Sequence, residues 1–108
     1  MRRSDLAGCD FSDARLILSD FSYCNLRGCK FVGADLSGCT FRGANLEDAD
    51  FSAAKIHPVK IGEGAGRLWP TNFQRAMMQG ANLRTNEVDD AIFRGADLRR
   101  ARLSLFSG

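Results

Sequence analysis

Every fifth residue from Leu6 to Ile56 is large and apolar, and leucine alternates with phenylalanine until the last position: Leu6, Phe11, Leu16, Phe21, Leu26, Phe31, Leu36, Phe41, Leu46, Phe51 and Ile56. A period of five belongs neither to a strand, which alternates every second residue, nor to a helix of 3.6 residues per turn. Two residues before each of these positions stands a small residue: Ser4, Cys9, Ala14, Ser19, Cys24, Cys29, Ala34, Cys39, Ala44, Ala49 and Ala54. Each five-residue unit therefore sends one large and one small side chain to the same place. Self-similarity at a short fixed period predicts stacked repeats that share a continuous core.

After a break, the phase resumes at Phe73, Met78, Leu83, Val88, Phe93, Leu98 and Leu103, preceded by Thr71, Ala76, Ala81, Asn86, Ala91, Ala96 and Ala101. The unit is small, Asp or Asn, Leu or Phe, polar, then often Gly, as in Ala34-Asp35-Leu36-Ser37-Gly38. This pattern strongly resembles the pentapeptide-repeat family, whose consensus centres on Ala-Asp/Asn-Leu followed by two variable residues. The resemblance covers nearly the whole chain. It implies an all-β fold, a right-handed quadrilateral β-helix with one pentapeptide per side and four per coil, in which residues such as Ser37 face solvent.

The physics points the same way. Four units per coil stack residues twenty apart, and the alternation then yields two leucine-type and two phenylalanine-type faces. Rungs about 4.8 Å apart have the spacing of paired strands. Seven of the eleven glycines (Gly8, Gly28, Gly33, Gly38, Gly43, Gly80 and Gly95) fall two residues after a core position, where a tight corner needs φ > 0.

Between Ile56 and Phe73 the pattern slips. Val59 with Ile61, and Gly66 with Leu68, can serve as two further small-and-large pairs, so that two residues are inserted between Ile61 and Leu68. On this expectation Phe11, Phe31, Phe51, Phe73 and Phe93 form one inward ladder, and Leu6, Leu26, Leu46, Leu68 and Val88 another. The result is a single domain over residues 1–108 of about five coils, with a bulged loop near 62–67. A short amphipathic helix opened by Pro70 is the alternative, because Phe73, Ala76, Met77 and Gly80 also lie at helical spacing.

Composition adds exclusions. There is no 18-residue apolar run and no charged-then-apolar amino-terminal segment, so neither a membrane span nor a signal peptide is expected, and the cytoplasm, in a bacterium by the resemblance, is the expected setting. All four cysteines (Cys9, Cys24, Cys29 and Cys39) occupy the small inward slot and are expected to be buried thiols. Cys9 and Cys29 stack about one rung apart, slightly long for a disulfide. A zinc site lacks partners, because His57 is the sole histidine. No serine or carboxylate is placed to act with His57, and Gly62-Glu63-Gly64-Ala65-Gly66 lacks the Lys-Ser/Thr ending of a phosphate loop. No enzyme, metal or cofactor is expected.

Charge weighs on function. Some pentapeptide-repeat proteins are similar to B-DNA in width and shape, carry a strongly acidic surface, and bind DNA gyrase or topoisomerase in its place, giving quinolone resistance. Here 15 Lys and Arg face 13 Asp and Glu, and five coils span about 24 Å, so a DNA-mimic modulator of that type is the alternative reading. Arg94, Arg99, Arg100 and Arg102 alternate with Asp89, Asp90 and Asp97, which favours a solvated surface over nucleic-acid binding. The preferred expectation is a non-enzymatic scaffold for an unidentified protein partner. Its candidate surface consists of Ile17, Leu18, Tyr23, Trp69 and Ile92, apolar residues in outward slots. No capping helix is evident at either end, so Met1 to Arg3, Leu105 with Phe106, flanking domains, or a second copy packed end to end as a homodimer are expected to cover the open core.

Overall fold

The computed structural model describes residues 3–62, 66–84 and 90–103. Parallel bridges join residues twenty apart: Asp5 to Asn25 to Asn45, Asp10 to Lys30 to Asp50, Arg15 to Asp35 to Lys55, and Asp20 to Thr40. Each bridging residue immediately precedes an inward one and points outward. The amide of the inward residue donates to the next coil, as Leu6 N to Asn25 O at 2.8 Å, and a turn closes behind it, as Cys9 N to Leu6 O at 3.1 Å. The third residue of the turn has positive φ, 76° at Gly8 and 67° at Gly38, the mark of a type II turn. Leu18 and Tyr23 adopt the same conformation at 62° and 60° without the steric freedom of glycine. The preference for Asp or Asn before the core residue follows from the turn, whose amides their side chains cap: Ser12 N donates to Asp10 Oδ1 and Ser22 N to Asp20 Oδ1, both at 2.9 Å. Repeated four times per coil, this unit builds a right-handed quadrilateral β-helix.

Inside, the leucine-type and phenylalanine-type columns fill the square. Phe21, Phe31, Phe41, Phe51 and Phe73 are all fully buried. Rings in one column stack at centroid separations of 5.0–5.3 Å, and rings of the two facing columns meet edge to face at 5.7–6.2 Å. Burial fades at the ends, where Leu6, Cys9, Phe11 and Leu16, and again Phe93 and Leu98, are only partly covered. The cysteines are free thiols in the small slot, three of them buried. Cys39 Sγ donates to Leu16 O at 2.7 Å and Cys29 Sγ to Leu6 O at 3.0 Å. Burial pushes both thiols up, Cys39 to about 12. Among the described residues no helix is long and apolar enough to cross a membrane.

The expected two-residue insertion is incorrect. Thr40 bridges Asn72, thirty-two residues on rather than twenty, so twelve residues are inserted. Phe73 consequently stacks on Phe41 at 5.0 Å and not on Phe51, and Phe93 follows it in the ladder begun by Phe21 and Phe41. The extra residues form an antiparallel hairpin of β1 (Val59–Ile61) and β2 (Arg67–Trp69), in register Val59 to Trp69. Ile61 and Leu68, expected to point inward, are 43% and 59% exposed.

Thr71 confirms the new register. It takes the inward slot above Cys39, and its Oγ1 donates to Leu36 O at 3.0 Å, as the Cys39 thiol does to Leu16 O one coil earlier. Ser37, expected outside, is 7% exposed, because His57 and the base of the hairpin close over its corner; His57 N donates to Ser37 Oγ at 3.4 Å. The helix alternative at Pro70 is also not what forms: Ala76 and Met78 are buried in phase and Met77 bridges Asn45 and Asp97. The last coil pairs β3 (Asn82–Leu83) with β4 (Arg102–Leu103) in parallel. Asn86, Val88, Leu105, Phe106, Asp89 and the loop residues Glu63 to Ala65 lie outside the described residues.

Candidate interaction face

The twelve-residue shift decides which side chains meet on the outside. Over the column Phe21, Phe41, Phe73 and Phe93, the outward ladder is Asp20, Thr40, Asn72 and Ile92. Among the described residues it carries the fewest charges of the four faces. The opposite face carries Asp10, Lys30, Asp50, Asn82 and Arg102, and one adjacent face Arg15, Asp35 and Lys55, with both signs on each.

Two unlike corners flank this face. On the side where the chain arrives, the corner residues are Ile17 and Leu18, then Ser37 and Gly38, then His57 and Pro58, from which the hairpin leaves. Leu18 and Val59 both lie against Gly38, so close that a Cβ there would meet Leu18 Cδ2 at 2.7 Å and Val59 Cγ2 at 2.9 Å. On the other side the corner carries Arg3, Ser22 and Tyr23, Arg42 and Gly43, Gln74 and Arg75, then Arg94 and Gly95. The Tyr23 ring lies against Gly43 with no room for a side chain between, and the Arg3 guanidinium lies over it at 5.0 Å from the ring centroid.

Between the corners runs a groove of about 390 Å³ lined by Asp20, Ser22, Tyr23, Thr40, Arg42, Trp69, Pro70, Asn72 and Ile92. Its floor is set by local bonds: Gln74 N donates to Asn72 Oδ1 at 2.8 Å, and the Ser22 and Thr40 hydroxyls lie 3.5 Å apart. Trp69 at 51% and Tyr23 at 40% exposure stand on its walls, and Ile92 is half-buried. Three of the five expected surface residues, Tyr23, Trp69 and Ile92, are thus brought together. Ile17 and Leu18 are exposed on the apolar corner and do not line the groove.

Arg42 and Arg75 were not legible as site residues, because the two-residue insertion places Arg75 at a different corner. A signal did exist. Pro58 falls at the turn position where Leu18 and Gly38 have positive φ, and a pyrrolidine ring fixes φ near −65°. The turn cannot close after His57, so the chain must leave the coil there.

The family model for pentapeptide repeats matches residues 1–31, 19–57 and 71–104, and its gap falls on the hairpin. The chain belongs to the pentapeptide-repeat family. Among solved structures, a pentapeptide repeat protein of the Arabidopsis thaliana thylakoid lumen is similar at 30% identity and TM-score 0.53, over 91% of this chain and 63% of that one. Another from the cyanobacterium Cyanothece 51142 has 22% identity and TM-score 0.51, over 95% and 59%. This chain therefore spans about three fifths of the length of these relatives. A plasmid-mediated fluoroquinolone resistance protein, at 17% identity and TM-score 0.40, is too distant to bear on function. No curated protein matches the sequence.

Proposed function

We propose that this pentapeptide-repeat chain is a non-enzymatic, rigid scaffold for protein–protein interaction, and that a partner docks in the groove between the two corners. The observation that carries this reading is the convergence of Tyr23, Trp69 and Ile92 on a concavity over the least charged face. Aromatic side chains beside a polar rim are what protein docking sites concentrate. The stacked coils hold Tyr23 and Ile92 on a fixed backbone, with Trp69 supplied by the paired hairpin beside them, so little ordering cost opposes docking. Topoisomerase-directed mimicry needs a continuous negative stripe, and the mixed-sign ladders together with an arginine corner weigh against it.

Photo-crosslinking in the source cell tests the reading. A photoreactive phenylalanine derivative at position 69 is expected to give a discrete protein adduct that the same group at position 30, on another face, does not give. Identical adduct patterns from both positions, or none from position 69, would overturn it.

A further inference from the structure

The corner beside the groove is built for negative charge. A second concavity, of about 470 Å³, is lined by Arg42, Gln74, Arg75, Arg94 and Gly95, and it shares Arg42 with the apolar groove. The three arginines sit on consecutive rungs, so about 10 Å separates the first from the last. Arg3 extends the same edge to the first rung. No acidic residue occupies this corner on any described rung.

Comparison with another corner shows that this is not the general condition of the surface. The corner that follows the Leu6 column interleaves Arg27, Glu47, Asp48 and Arg100, and there Arg99 is held by Asp97 at 2.7 Å. That pairing keeps the Asp97 carboxyl below its ordinary range. Among the described residues Arg42, Arg75 and Arg94 make no ion pair. A row of like charges with no partner repels itself, and a ligand of opposite sign relieves that cost.

We propose that the groove takes an extended acidic peptide of a partner protein, one bulky apolar side chain seated against Tyr23, Trp69 and Ile92 and its carboxylates paired with Arg42, Arg75 and Arg94. This rests on the docking reading above and adds the chemistry of the partner. Guanidinium forks bind carboxylates in bidentate fashion. Alternate residues of an extended peptide lie on one side about 6.6–6.8 Å apart, so two acids at i and i+2 reach arginines on neighbouring rungs through their flexible stems. Nucleic acid fits less well. The net charge is only +2 with a pI near 8.5, below the range of typical nucleic-acid-binding domains.

The test displays random twelve-residue peptides against the whole chain and measures the enriched ones by fluorescence anisotropy. Comparison proteins are the Arg75→Glu/Arg94→Glu variant and Trp69→Ala, all exposed positions, with circular dichroism melts to verify folding and Arg75→Gln/Arg94→Gln in reserve. Enriched peptides should carry acids at i and i+2 next to a Leu, Phe, Tyr or Trp. Charge reversal should weaken them at least about tenfold and flatten their salt dependence, whereas Trp69→Ala should weaken them with the salt dependence intact. Neutral or basic peptides that require Trp69 would overturn the acidic chemistry and leave the docking groove standing. Absence of enrichment, or peptides indifferent to all the substitutions, would overturn both. Displacement at equal or lower concentration by a single-stranded oligonucleotide of the same charge would reassign the corner to nucleic acid.

Discussion

The middle coils and the inserted hairpin obey opposite rules. From Phe21 to Ile56 nearly every inward side chain is fully enclosed and repeats the chemistry of the one twenty residues away. In the strands of the hairpin, Val59–Ile61 and Arg67–Trp69, the chain leaves Ile61, Leu68 and Trp69 in solvent. The coils spend their sequence on a shared core and the hairpin spends it on surface. Both ends of the insertion meet at one corner, so His57 still accepts from Gly38 N at 3.1 Å and Thr71 still fills the slot above Cys39. An excursion of twelve residues thus leaves the ladders intact, as insertions between repeats generally do.

The sharpest way to break that contrast is truncation on either side of it. Phe41 stacks between Phe21 and Phe73 and meets Phe31 and Phe51 edge to face. Phe41→Ala is expected to cost about 3–5 kcal/mol in denaturant melts, through lost burial and an unfilled cavity. Leu68→Ala, in the hairpin, is expected to stay within about 0.5 kcal/mol. Equal losses would mean that the hairpin is part of the core after all.

The thiols probe the same boundary by chemistry. With Cys39 pushed from 9.0 to about 12 by burial, its thiolate near pH 8 is roughly a thousandfold rarer than that of an ordinary cysteine. A thiol reagent at that pH is expected to leave Cys39 unlabelled until denaturant is added. The sign for stability follows: the folded thiol stays neutral while the unfolded one ionises, so this contribution is whole below pH 9 and declines as pH rises toward 12. Fast labelling of the native protein would show coils that open readily.

The coils were legible and the hairpin was not, for one reason. Period five is dictated by packing, so Leu6 to Ile56 announces its own geometry, down to the small slots held by Cys29 and Cys39. The placement of Phe73 had no such guide. A column of Phe11, Phe31, Phe51 and Phe73 is as uniform as the observed Phe21, Phe41 and Phe73, so uniformity could not choose between them. Backbone conformation could, through Pro58. The surface suffered accordingly: Tyr23, Trp69 and Ile92 stood out by their apolar character in outward slots, whereas Arg42 and Arg75 became neighbours only once the insertion had its true length.

A net effect far smaller than that of Phe41→Ala is expected from removing the hairpin itself. Replacing residues 58–70 with a single glycine restores a five-residue step from Ile56 to Phe73 and puts at the corner a residue that accepts positive φ. The loss is the cover that Val59 gives to Gly38 and Leu18. The gain is a shorter closure, worth roughly 1 kcal/mol for an excursion of this length. The two oppose each other, so the variant is expected to melt within about 1 kcal/mol of the parent while losing the Trp69 wall of the groove. Destabilisation as large as that of Phe41→Ala would show that the hairpin braces the solenoid. An unchanged melt together with lost peptide binding would separate, in one molecule, the part that folds from the part that binds.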